Sequence, residues 1–278
     1  MGRSHALSGL SVGVLAAGAL DHVPLPVRLL VIPTVAGAAL LPDLDHPSAT
    51  AARALGPITK WIARSINHMA LELYHATRAR GDPRGRRDGH RLVTHTIPGC
   101  LAFGAPGVVA HVVGVDLARS LGASLRLAGA IPAIWAAISV GICLGLLART
   151  SPQVGALFTL SGTISALACE LAYPAWWWVW PSAIVIGCLT HVAGDGCTVA
   201  GVPIYWPLTV ETDKGPARWH MAAIPGIAFK TGGGDEGTER VVVVPILWCC
   251  LALSAMAATG VLGTVVGALW RVGLGWWA

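Results

Sequence analysis

Asp43 and Asp45 are two carboxylates separated by one residue, just after a proline that ends an apolar run. Two such anions repel strongly unless a cation lies between them. His191 and Asp195 are four residues apart, which on a helix puts both on one face with about 5–6 Å between Cβ atoms. An imidazole and a carboxylate in that relation can hold one metal ion. His90 and His95 are five apart and would point to different sides of a continuous helix, so a loop-to-helix junction is expected there. His5 adds an imidazole from another helix end. The candidate metal ligands are therefore His5, Asp43, Asp45, His90, His95, His191 and Asp195. A mixed His/Asp set without thiolate suits zinc first, and also manganese, iron or nickel. Seven candidates exceed what one tetrahedral ion needs, so one to three divalent ions are expected. Singly, each residue has an ordinary explanation: an interfacial histidine, aspartates capping helix ends and turns, histidines in a polar loop. Only their convergence on one face would make a site. His22, His68, His75, His111 and His220 have no partner at metal spacing.

The elements that must carry these residues belong to a membrane. Of 278 residues 54% are apolar and only 12% charged, with a mean hydropathy of +0.65. Soluble domains carry about a quarter charged residues. A disordered chain, a coiled coil, a collagen and a disulfide scaffold are excluded. The seven cysteines lie in or beside apolar stretches without a C-x-x-C pair and read as small packing residues. Spanning a bilayer takes about 20 mostly apolar residues. Seven apolar segments qualify as an all-α, polytopic membrane helix bundle: 6–20, 25–41, 97–115, 127–147, 152–168, 177–192 and 241–269. The first two read as a tight hairpin about Asp21-His22-Val23-Pro24. Pro98, Pro106 and His111 suggest a kinked or partly re-entrant third segment. The whole chain, 1–278, reads as one integral membrane domain.

Charge placement orients it. The segment 46–96 holds nine lysines and arginines and 199–240 holds four. Four crossings separate these loops, so they share a side, and the positive-inside rule makes it the cytoplasm. Only Arg28, Arg119, Arg126 and Arg271 fall opposite, a split of fifteen to four. Trp176, Trp177, Trp178 and Trp180, with Trp270, Trp276 and Trp277, then lie at the outer boundary, as interfacial aromatics do. All the chemistry-bearing clusters come out at the cytoplasmic ends of their segments. The net charge of +5 needs no nucleic acid, and none is expected as a partner. The basic run 78–91 is a solvated loop that could touch anionic headgroups. Residues 58–76 carry apolar side chains at helical spacing, the mark of an amphipathic cytoplasmic helix on the membrane or on the bundle. The stretch 230–239 reads as a flexible polar loop.

The succession of Ser4-His5, LLPDLDHPS at 40–48, GHRLVTHT at 89–96, His191-x-x-x-Asp195 and GVPIYWPL at 201–208 resembles the YdjM family. Thr96 stands where serine is more usual, and the stretch between 48 and 89 is extended. The resemblance implies an inner-membrane-associated, metal-dependent hydrolase. A weaker likeness, in the order of ligands, is to zinc-dependent phospholipase C and related single-strand nucleases, and points to phosphoester chemistry. On this reading the ions would lower the pKa of bound water to about 7. A second ion or Arg91 would stabilise charge on a phosphoryl oxygen. Asp43 or Asp45 would bridge ions or serve as general base. Lipids are the natural substrate class at headgroup depth, and the bilayer is the one sure partner. The rivals are a non-catalytic metal protein, structural or transporting, and a regulatory protein docking through the basic run. A transporter should carry polar residues across the bilayer, whereas Glu170 is the lone charged exception in the outer halves of the later segments.

Overall fold

The computed structural model describes residues 2–46, 49, 51–53, 56–120, 125–148, 152–223 and 242–260. Helices α1 (Gly2–Ala19) and α2 (Leu25–Ala38) form a hairpin, and α2 runs on into a 3-10 turn, Pro42–Asp45. Helix α3 (Pro57–Thr77) and a 3-10 turn at Val93–His95 lead into α4 (Ile97–Ser120). Then come α5 (Leu125–Leu147), α6 (Pro152–Ala172), α7 (Val179–Gly196), the strands β1 (Val210–Thr212) and β2 (Gly215–Ala217), and α8 (Val244–Ala258). The two strands pair antiparallel through Val210↔Ala217 and Thr212↔Gly215, with Gly215 at φ 99° supplying the turn.

Five stretches, rather than the seven expected, are long and apolar enough to cross a membrane among the described residues: 25–45, 97–120, 129–147, 153–172 and 174–196. The chain is a multi-pass helical membrane protein. Helix α1 has the length, 18 residues, but not the apolarity, because it includes Arg3, Ser4, His5, Ser8 and Ser11. The described part of the last apolar segment is the 15-residue α8; residues 241 and 261–269 lie outside the described residues. So do the loop 230–239, Arg149, Arg271 and Trp270, Trp276 and Trp277. The third segment, expected to be kinked or partly re-entrant, is unbroken. It forms one continuous helix, because Pro98 sits in the first turn, where a missing N–H is harmless, and Pro106 is absorbed within the helix.

Helices α2 and α7 form the buried centre. Val27, Val31 and Val35 pack with Val140 of α5 and with Val179, Trp180 and Ala183 of α7. Cys100, Cys143 and Cys188 fill a second cluster with Ala38 and Ile184, as expected for small packing residues. Helices α4 and α6 turn Val108, Val109, Val112, Leu157, Leu160 and Ile164 outward, the faces that lipid would cover. In a bilayer helices associate through close packing of small residues. At Gly187 an added Cβ would lie 2.5 Å from the Val35 carbonyl, and at Gly9 2.7 Å from Ala39 Cβ. Each glycine is one turn from a histidine, His191 and His5 respectively. These close helix approaches set both imidazoles against the end of α2.

Helix α3 lies over that end. Ala63, Ala70 and Tyr74 face inward, and Asn67 Nδ2 donates to the Asp45 carbonyl at 2.9 Å. Trp219, next to the hairpin, is buried against Tyr74 and Leu92. Its indole N–H donates to Thr77 Oγ1, and its backbone N–H to Asp82. The amphipathic helix thus rests on the bundle through its inner face. At the opposite end Glu170 is buried and accepts the indole N–H of Trp180.

Candidate metal centre

Five of the seven expected ligands come together in space from four elements. His5 belongs to α1, Asp43 to the turn after α2, His95 to the turn before α4, and His191 and Asp195 to the last turns of α7. His95 Nε2 lies 3.3 Å from Asp195 Oδ2 and 3.2 Å from His191 Nε2. His191 Nε2 lies 3.6 Å from both Asp43 Oδ1 and Asp195 Oδ2. His5 Nε2 is 3.4 Å from Asp195 Oδ1, and its ring stacks on His191 at 3.8 Å. Among the described residues two groups have donors close enough to hold an ion: His5, His191, Asp195 and Asp43, His95, His191. A tetrahedral ion with bonds of about 2.0–2.1 Å has ligand–ligand edges of about 3.3–3.4 Å. The observed edges of 3.2–3.6 Å straddle that value.

The hydrogen bonds aim the lone pairs inward. His191 Nδ1 donates to the Ala39 carbonyl at 2.8 Å, which leaves Nε2 unprotonated toward the cluster. Thr94 Oγ1 donates to Asp45 Oδ2 at 2.5 Å and so accepts from His95 Nδ1 at 2.9 Å. Two bare Nε2 atoms 3.2 Å apart repel each other unless a proton or a metal ion sits between them. Charge argues likewise: Asp45 and Asp195 are buried, Asp43 is half-buried, and the one permanent cation among them is Arg91. Burial disfavours charge on His95, but Asp45 and Asp195 outweigh it and raise its pKa to about 9. The site thus takes up a positive charge in whatever form is available.

A family model described as YdjM inner membrane protein matches residues 1–263. The chain belongs to the YdjM family. No curated protein and no solved structure matches it.

In this YdjM protein Asp45 and His90 stand one layer back from the cluster. Asp45 accepts from His90 Nδ1 at 2.8 Å, from Thr94 and from the Arg91 backbone N–H at 3.2 Å, and faces His95 Nδ1 at 3.5 Å. It orients His95 rather than facing the space between the nitrogens, a carboxylate–histidine arrangement common behind metal ligands. His90 packs edge-on to His46 and His95, and His95 sits at the loop-to-helix junction expected for it. Arg91 does not point to open space: Nη2 donates to Asp195 Oδ1 at 3.0 Å and Nη1 to Thr198 Oγ1 at 3.0 Å. The motif H-R-x-x-T-H carried Thr94 in plain view without revealing its role. Asn67, Thr198 and the Ala39 carbonyl had no sequence signal, since each acts through a partner more than twenty residues away. Among the histidines without metal spacing, His111 stacks on Trp177 at 3.8 Å, far from the cluster in sequence and in role.

Proposed function

We propose that this YdjM protein is a membrane-embedded, metal-dependent hydrolase acting on a phosphoester, a phospholipid above all, at the cytoplasmic leaflet. The positive-inside rule assigns the basic segments 46–96 and 199–240 to that side. The observation that carries the reading is the convergence of His5, Asp43, His95, His191 and Asp195 in two donor groups that share His191. One ion is favoured over two or three. His191 belongs to both donor groups, yet its Nδ1 is engaged by Ala39, so one nitrogen is left to bind one cation.

A divalent cation held there, zinc before manganese or iron, supplies Lewis acidity and favours hydroxide at neutral pH. The chain's own residues do the rest. Asp43 has the most open side chain of the five, 22% exposed against 0–6% for the others. Substrate and water approach on its side, and Asp43 is the carboxylate that can accept a proton from an attacking water. Asp45, closed in on every side, holds His95 in its tautomer. A site at the ends of the spans meets a lipid at its headgroup, where phosphoester bonds lie.

The test is metal content by plasma mass spectrometry on untagged protein purified in mild detergent. About one equivalent is expected, removable by chelator, with phospholipid hydrolysis lost on removal and regained on reloading. Protein that binds neither zinc nor manganese when supplied with both overturns the reading. Affinity should also depend on pH in a defined sense. Below about 9 the His95 imidazole carries a proton that a cation must displace. Chelator-competition affinities should therefore rise about tenfold per pH unit from 7 toward 9 and then level off. A flat profile would remove His95 from the ligand set.

A further inference from the structure

We propose that Arg91 is a positioning residue that holds Asp195 Oδ1, the oxygen on the His5 side, so that Oδ2 is the carboxylate oxygen turned to the His95 and His191 nitrogens. The inference rests on the metal-centre reading above and concerns how that centre is shaped.

The two oxygens of Asp195 have different company. Oδ1 takes the Arg91 Nη2–H at 3.0 Å and lies 3.4 Å from His5 Nε2. Oδ2 faces His95 Nε2 at 3.3 Å and His191 Nε2 at 3.6 Å. Arg91 is fixed in this pose by more than the ion pair. Its Nη1 donates to Thr198 Oγ1 at 3.0 Å and toward the Gly201 carbonyl at 3.4 Å. Thr198 Oγ1 donates in turn to the Asp195 carbonyl at 2.7 Å, so the brace for Arg91 is anchored on the residue that Arg91 holds. With both Nη atoms engaged by protein acceptors, the guanidinium is held in one orientation.

The backbone supports the same role. Arg91 has φ 56° and is the one non-glycine residue in the left-handed region among the described residues. A residue with a long side chain rarely adopts that conformation and keeps it only where its surroundings require it. Here it lets the Arg91 N–H reach Asp45 Oδ2 at 3.2 Å while the side chain runs to Asp195. One residue thus holds both carboxylates that border His95. Lysine could replace the charge but not the fork, because one ammonium cannot serve Asp195, Thr198 and Gly201 together.

Cobalt(II) is the probe, since its visible absorption weakens as more ligand atoms crowd the ion. The wild-type, full-length protein loaded with cobalt in detergent gives the reference spectrum. In Arg91→Ala both Asp195 oxygens are free to reach the ion. Band intensity is expected to fall by about half or more, and affinity by about 10- to 100-fold, the usual cost of losing an outer partner. Arg91→Lys should lose less affinity, because charge is kept, yet show the same fall in intensity. A folded Arg91→Ala or Arg91→Lys protein with the wild-type spectrum overturns the inference. Should the alanine variant not fold, the lysine variant decides alone. Failure of the wild-type protein to bind cobalt would strike the metal-centre reading instead, so the two failures are distinguishable.

Discussion

His191→Ala should abolish metal binding and hydrolysis together, while the protein still inserts in the membrane and elutes as a folded species. His191 Nε2 is common to both donor groups and within 3.6 Å of His95, Asp43 and Asp195. No neighbouring side chain can take its place, since His5 is stacked against it and approaches Asp195 from the other oxygen. Losing a shared ligand from a small set should lower affinity beyond the 10- to 100-fold typical of an outer residue, and turnover with it. Alanine also leaves the buried Ala39 carbonyl without its donor, at a cost of about 1–3 kcal/mol. His191→Asn separates the two effects. Its amide N–H can still donate toward Ala39, while nothing stands where Nε2 stood. Metal content and lipid hydrolysis measured on both variants should vanish alike, with the asparagine protein melting closer to wild type. Turnover retained in either folded variant would remove His191 from the machinery.

How much of this was legible in the sequence depends on the range of the interaction. The apolar runs marked the helices because burial in lipid demands an unbroken stretch of apolar residues, and among the described residues five of the seven are long and apolar enough to cross. Helix α1 was overcounted because small residues read as apolar even where they pack on other helices, as Gly9 does on α2. The His191–Asp195 pair was legible because helical spacing is fixed. The division between the five converging donors and Asp45 with His90 was not. Asp43 and Asp45 are equivalent by composition and spacing. They part only because the 3-10 turn sends Asp45 under α3 and the 90–95 turn, while Asp43 faces α7. Arg91 likewise reads as a free cation in the sequence, and its engagement with Asp195 and Thr198 needs residues more than a hundred positions away.

Asp45→Ala should be the most destabilising single change at the site, although Asp45 is not among the converging donors. Its carboxylate has no solvent exposure and accepts from His90, Thr94 and the Arg91 backbone while facing His95. These groups all lie on the 90–95 turn, so Asp45 is the bond between that turn and the end of α2. Removing one member of a buried charged network leaves the others unpaired, typically at about 3–5 kcal/mol. The Arg91 conformation would lose one of its two supports at the same time, and His95 the group that sets its tautomer. Asp45→Asn keeps the shape and one acceptor oxygen, so it should fold and instead show the loss in metal affinity, about 10- to 100-fold. Melting in detergent with and without zinc distinguishes these effects, because an ion that binds only the folded state raises the midpoint by an amount that grows with the logarithm of its affinity. The expected order is a large zinc-induced rise for wild type, a small one for Asp45→Asn, and a low midpoint without a rise for Asp45→Ala. An Asp45→Ala protein that melts with wild type and responds to zinc as wild type does would mean that the turn is held by its other contacts. His95 would then need no carboxylate behind it to face the ion.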